Sequence, residues 1–212
     1  MKTYDDRWYD YKNNKIHKTA EVNWDRVEIG SGNEIGPYVC IGTDAQHTRE
    51  ESSGNIQIGN DNVFREYTTV HLPTRFSMRT VIGSNCYFMV LSHIAHDCVV
   101  EDNVIFSNNV TMGGHSWVMT GSQLGFGVLI HQYLVVGSYS MIGMGAVLTR
   151  KCVVIPGHVW AGNPATKLGM NNVGIERKVM IGGISERDAH HILETETTRY
   201  KSVVAEIRGQ YI

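Results

Sequence analysis

The chain is expected to fold as an all-β solenoid of short parallel strands, and three observations lead to that class. Every sixth residue from Ile82 to Trp160 is apolar: Ile82, Phe88, Ile94, Val100, Phe106, Met112, Val118, Leu124, Ile130, Val136, Ile142, Leu148, Val154 and Trp160. At 42% hydrophobic residues overall, so long an unbroken register would arise by chance roughly a few times in 10^5 even across six frames. The fourth residue after most of these positions is small or β-branched, as at Cys86, Ser92, Cys98, Val104, Val110, Ser116, Ser122, Val128, Ser140, Ala146 and Cys152. Polar stretches interrupt the period and then release it intact, which is the mark of loops projecting from a regular stack. Each six-residue repeat buries its apolar side only against the repeats above and below it.

Read in order, the repeats begin near Ile16 and Val22 and become clear at Ile29, Ile35 and Ile41, each followed by glycine. Residues 43–57 are polar and charged and form the first expected excursion. The period resumes at Ile58, Phe64 and Val70, a second excursion covers HLPTRFSM at 71–78, and the long array follows. After Trp160 the stretch AGNPATKLG reads as the exit turn from its Gly and Pro residues. A helix comes next: Ser185 and Asp188 make an N-terminal capping pair, and Ala189, Ile192, Leu193, Tyr200, Val203, Val204 and Ile207 recur on one face. That helix is expected to pack on the stack or a neighbouring subunit and to cover its open end. The division is thus 1–165 for the strands and 166–212 for the turn and helical extension.

A formal charge of −2 over 212 residues provides no broad basic surface, so nucleic acid is not an expected partner. No apolar run approaches the ~20 residues of a membrane span, and the first residues lack a signal-peptide apolar core, so the expected location is the cytoplasm. Cys86, Cys98 and Cys152 share the small repeat position and no CxxC pair occurs, which makes them reduced core residues. Ten histidines are many for this length, and His93, His96, His115 and His131 fall within the array. Core or surface placement is the plain reading of any one of them.

The six-residue array resembles the hexapeptide acyltransferases. That resemblance implies three repeats per triangular coil, a left-handed parallel β-helix, and vertical stacking of residues 18 apart. His96, Gly114 and Gln132 would then share one column, and Asp97 and His115 the next. Segments LSHIAHDCVVEDNVIFSNNVTMGGH, LIHQY and AGNPATKLGMNNVGIERK make the resemblance specific: over roughly residues 16–185 the chain is similar to the UDP-N-acetylglucosamine O-acyltransferases of lipid A, hence lipopolysaccharide, biosynthesis. The family implies a cytoplasmic homotrimer that moves an acyl group from a thioester of acyl carrier protein or coenzyme A to a nucleotide sugar, with that thioester as co-substrate and no bound cofactor.

By matching motif, the resemblance makes His96 the general base, a task that suits imidazole near neutrality. Asp97 is placed to orient it, although a solvent-facing carboxylate is the other reading, and the backbone N–H of Gly114 corresponds to the oxyanion donor. His93, His115, His131, Gln132 and Gln46 match positions lining the sugar-nucleotide and acyl pocket. Asn163, Arg177 and Lys178 match the phosphate-contacting region, where a guanidinium can grip a diphosphate; a solvated basic turn is the alternative for the last two. Arg150, Lys151 and Lys167 are candidates for a groove that receives the acidic carrier.

The chain also departs from the family. It is shorter at both ends, and His47 stands where the family carries an acid after Gln46. Met144 falls where long-chain members place glycine, which predicts an acyl group from acetyl to about ten carbons; the alternative is a core filler. Three further functions compete: N-acylation of a nucleotide-linked amino-deoxysugar, a trimeric zinc hydratase resembling γ-class carbonic anhydrases, and a scaffold without catalysis. The zinc reading lacks the usual histidine pair five apart, since His93 and His96 are three apart.

Overall fold

A computed structural model describes residues 6–174 and 185–209. Between the two terminal hairpins, strands of two to four residues visit three parallel sheets in rotation, so that every third strand pairs. The first face contains Val63–Phe64, Tyr87–Phe88 and Ile105–Phe106; the second contains Thr69–His71, His93–Ile94, Thr111–Met112 and Leu129–Ile130; the third contains Arg79–Ile82, Val99–Val100, Trp117–Val118 and Val135–Val136. In the long array the register is 18 residues throughout, as in Phe88↔Phe106, Ile94↔Met112 and Val100↔Val118. Lateral pairing of this kind satisfies the backbone while each inward side chain lands on its counterpart one coil away.

All the apolar positions of the array from Ile82 to Trp160 are buried. Phe64, Phe88 and Phe106 form a continuous aromatic column, with centroids 5.0 and 5.3 Å apart. The second, small position has a reason beyond volume. Its hydroxyl or thiol donates to a carbonyl fifteen residues ahead: Cys86 to Glu101, Cys98 to Gly113, Ser116 to His131, Ser122 to Gly137 and Ser140 to Ile155. Cysteine and serine interchange there because each pairs a small volume with one donor. The four cysteines are free, and burial pushes the Cys86 thiol up to about 11 and the Cys98 thiol up to about 12.

In the N-terminal coils an amide ladder serves the same corner. Asn33 donates to Asn14 Oδ1 at 2.9 Å, Asn62 donates to Asn33 Oδ1 at 2.9 Å, and the Cys86 N–H donates to Asn62 Oδ1 at 2.8 Å. Asn33→Ala should leave its neighbours' buried amide groups unpaired and cost roughly 2–4 kcal/mol, read as a lower urea midpoint with an unchanged slope.

Two differences from expectation arise at the ends. The stretch read as an exit turn is a β-hairpin: His158–Gly162 pairs antiparallel with Ala165–Met170 around the cis Asn163–Pro164 bond, so strand pairing continues to Met170. Glycine and proline occupy its tip, where the sequence signal is the same as for a simple turn. Trp8–Tyr11 pairs with Asn14–His17 in a second hairpin before the first coil. Helix α1 (Glu186–Gly209) begins at the expected cap, with the Ser185 hydroxyl 2.7 Å from Asp188. Tyr200, Val203 and Ile207 pack on Met119 and Val135 of the third face, and Arg199 pairs with Glu101, which also receives Trp117 Nε1–H at 2.6 Å. No described helix is long and apolar enough to cross a membrane.

Candidate active site

Both excursions leave from one corner, the turn from the second face to the third. The first lies between Cys40–Thr43 and Asn55–Ile58, shorter than the 43–57 expected, and the second lies between Thr69–His71 and Arg79–Ile82. The same corner in the next coils consists of Ala95–Cys98, Gly113–Ser116 and His131–Leu134. Excursion loops and candidate histidines are therefore stacked on one edge. The loops are tied together by the bridge between Ser52 and Thr74 and by the Arg75–Glu50 ion pair at 2.6 Å, and the first is closed on itself by the Ala45 N–H to Ser52 Oγ bond at 2.8 Å.

Within this corner His96 and Asp97 are buried, and His96 Nδ1 lies 2.7 Å from Asp97 Oδ2. The ring stands against Gly114: a Cβ there would lie 2.6 Å from His96 Cε1 and 2.7 Å from Nε2. His115 donates its backbone N–H to the His96 carbonyl at 3.1 Å and brings Nε2 to 3.6 Å from Asp97 Oδ2. Asp97, His115 and Tyr133 occupy successive left-handed corner positions, with φ of 59°, 59° and 60°. Asp and His tolerate this region better than most residues, and the repeated conformation throws all three side chains to the same side. Tyr133 stacks on His115 with centroids 4.3 Å apart, and His47 reaches from the first loop to pack edge-on against His96 at 5.4 Å.

Asp97 is the best-supported polar group of the site. Its carboxylate accepts from the Thr74 N–H at 3.1 and 3.2 Å, the Thr74 hydroxyl at 2.7 Å, the Ser77 N–H at 3.3 Å and the Ser77 hydroxyl. Burial opposes its charge, but the hydrogen bonds from His96, Ser77 and Thr74 and the nearby His115 outweigh that penalty and hold it down at about 2. The carboxylate is therefore ionised, and the reading of Asp97 as a solvent-facing residue is replaced by a buried one.

Two more imidazoles lie on the adjacent second face. His93 bonds Thr69 Oγ1 at 2.8 Å and meets His71 edge-on at 4.8 Å. Burial, then the neighbouring His93 and His96, bring His71 from the ordinary 6.5 down to about 4, and burial and His96 lower His93. Both are neutral near pH 7. The unfolded chain takes up protons that the native state refuses, so the stability present above 6.5 should be lost as pH falls through about 4. Urea midpoints measured across that window should decline in the wild type and decline less in His71→Gln.

The remaining expected residues fall into three groups. His131 and Gln132 are exposed on the same corner one coil beyond Gly114, and Gln46 is exposed on the first loop. Met144 and Asn163 lie at the opposite edge of the second face; Met144 is 73% exposed beside exposed Phe126, which sets aside its reading as core filler. Arg177 and Lys178 lie outside the described residues. Thr74, Ser77 and Phe76 were not read from the sequence, because no period reaches into a loop. Tyr133 was within reach, being His115 plus one 18-residue step. Among the described residues, His96, Asp97 and His115 bring possible metal ligands within 4.8 Å of one another. A cation would have to displace the loop donors that already occupy the carboxylate.

A three-faced parallel coil with a His–Asp pair at one corner defines a hexapeptide-repeat protein, and residues 79–114 match the bacterial transferase hexapeptide (six repeats) family model. The chain is 31% identical over 177 residues to the acyl-[acyl-carrier-protein]–UDP-N-acetylglucosamine O-acyltransferase of a Synechocystis strain, covering 83% of this chain and 62% of that protein. It is 32% identical over 192 residues to the Rhizobium etli protein of the same name, covering 88% and 69%. The crystal structure of the Bacteroides fragilis UDP-N-acetylglucosamine acyltransferase superposes with a TM-score of 0.74 at 27% identity, covering 92% of this chain and 84% of that one. The chain belongs to the UDP-N-acetylglucosamine O-acyltransferase family.

Proposed function

We propose that this chain transfers an acyl group from a carrier thioester to a hydroxyl of a UDP-linked N-acetylated amino sugar. The observation that carries the reading is the His96 ring, tied through Nδ1 to an ionised Asp97 and resting with Nε2 against Gly114. Asp97 keeps the proton on Nδ1 and leaves the Nε2 lone pair for the acceptor hydroxyl. As the hydroxyl proton moves to Nε2, the oxygen attacks the thioester carbonyl. The Gly114 N–H stabilises the resulting oxyanion, and as it collapses with cleavage of the C–S bond the imidazolium gives the proton to the departing thiolate.

His93, His115, His131, Gln132 and Gln46 are the residues proposed to line the acceptor pocket, and Arg177, Lys178 and Asn163 to contact the diphosphate. The relatives are named for acyl carrier protein as donor, which favours it over coenzyme A, and exposed Arg150, Lys151 and Lys167 suit its acidic surface. The winding is read as left-handed and the assembly as a cytoplasmic homotrimer, in keeping with the family. Intact-mass analysis of products from UDP-N-acetylglucosamine and from 3-amino and 4-amino sugar nucleotides, each with acyl carrier protein and coenzyme A thioesters of graded length, tests the acceptor, the donor and the acyl length. O-acylation of UDP-N-acetylglucosamine by a short or medium chain is the expected product. Preferential acylation of an amine, or efficient use of a fourteen-carbon donor, would overturn the acceptor or the Met144 assignment respectively.

A further inference from the structure

Asp97 Oδ2 faces two imidazoles, His96 Nδ1 at 2.7 Å and His115 Nε2 at 3.6 Å, and those rings meet edge-on with centroids 5.1 Å apart. A modest rotation of the carboxylate would exchange one partner for the other. The side chain springs from a left-handed corner whose own N–H is bonded to Thr80 Oγ1 at 3.1 Å, so the backbone end is anchored and the orientation at the far end is open. What decides it comes from the 71–78 loop. The Ser77 hydroxyl and N–H and the Thr74 N–H hold Oδ1, while the Thr74 hydroxyl joins His96 on Oδ2.

We propose that Thr74 and Ser77 are positioning residues of the reaction, clamping Asp97 so that it pairs with His96 and not His115. The inference rests on the acyl-transfer reading given above. Its physical content is that a general base works only with the proton on the correct ring nitrogen and the other nitrogen aimed at the substrate. Thr74 is buried and its carbonyl accepts the Met78 N–H at 3.0 Å, so the loop closes on itself around the carboxylate. The Ser77 hydroxyl also lies 2.8 Å from the Arg79 carbonyl; it has one proton, and the ionised Asp97 is the stronger acceptor.

The test uses the full chain in four variants, Thr74→Val and Ser77→Ala, which delete a hydroxyl, and Thr74→Ser and Ser77→Thr, which retain it. Deletion should lower kcat about tenfold, a fraction of the ~10^2–10^4 supplied by a general base, with the acceptor KM within about twofold and the hydroxyl-retaining partners close to wild type. Proton NMR of the downfield imidazole N–H shared by His96 and Asp97 should show it shifted or lost only in the deletion variants. That signal is independent of turnover: a wild type inactive with every thioester would overturn the acyl-transfer reading, and the resonance would still report on the clamp. Unchanged kcat together with an unchanged resonance in Thr74→Val and Ser77→Ala would overturn the clamp, as would equal losses in the hydroxyl-retaining pair.

Discussion

His96→Ala is expected to lower turnover by ~10^2 to 10^4 while the protein still folds. The imidazole lies at a corner, outside the aliphatic and aromatic column that stabilises the coil. Its removal deletes one of several donors to Asp97, and the four from Thr74 and Ser77 remain to satisfy that charge. A loss confined to kcat, with circular dichroism and melting close to wild type, is therefore the predicted pattern. His96→Gln should not rescue, since an amide of similar reach cannot take up a proton. Turnover near wild type in His96→Ala would remove the residue from the mechanism.

Gly114→Ala should cost about 10^2 in turnover through geometry alone. The added Cβ would lie 2.6–2.7 Å from two ring atoms of His96. The ring has little room to retreat, with Nδ1 tied to Asp97 at 2.7 Å, His115 against one side and His47 against another. Gly114 is not among the left-handed glycines, so backbone strain contributes little and the effect reports the collision. Gly127→Ala is the matching control: its Cβ would meet nothing within 4 Å, but its φ of +67° penalises any side chain. It should lose ~1–2 kcal/mol of stability and retain wild-type turnover. A Gly114→Ala enzyme with unimpaired kcat would show that the contact with His96 does not matter for catalysis.

The period of six was enough to name the inward apolar residue of each repeat in the long array, because a two-residue strand has one inward side chain and the repeat admits no other phase. The Cys and Ser at the second position were legible as small residues, but not as donors to carbonyls fifteen residues ahead, since that distance exists only once the coil has turned. The pairing of His96 with Gly114 followed from the 18-residue step that the family resemblance supplies. The burial of Asp97 did not follow, because a carboxylate at a corner is ordinarily solvated and only the loop donors remove it from water. The hairpin at 158–170 was read as a turn because its tip carries the Gly, Asn and Pro residues of either structure, and pairing beyond the tip depends on partners already folded.

The amino-acid order by itself determined the six-residue repeat and its phase, and it carries the motifs by which the chain resembles its family; the 18-residue step that stacks the histidines came with that resemblance. The repeat and the motifs depend on local spacing, which a linear string records directly. Only the tertiary structure decided that both excursions leave from the corner that carries the histidines, that Thr74 and Ser77 grip Asp97, that Tyr133 stacks on His115, and that helix α1 packs on the third face. Those contacts join residues whose separation obeys no period, and their geometry is set by loop closure and packing.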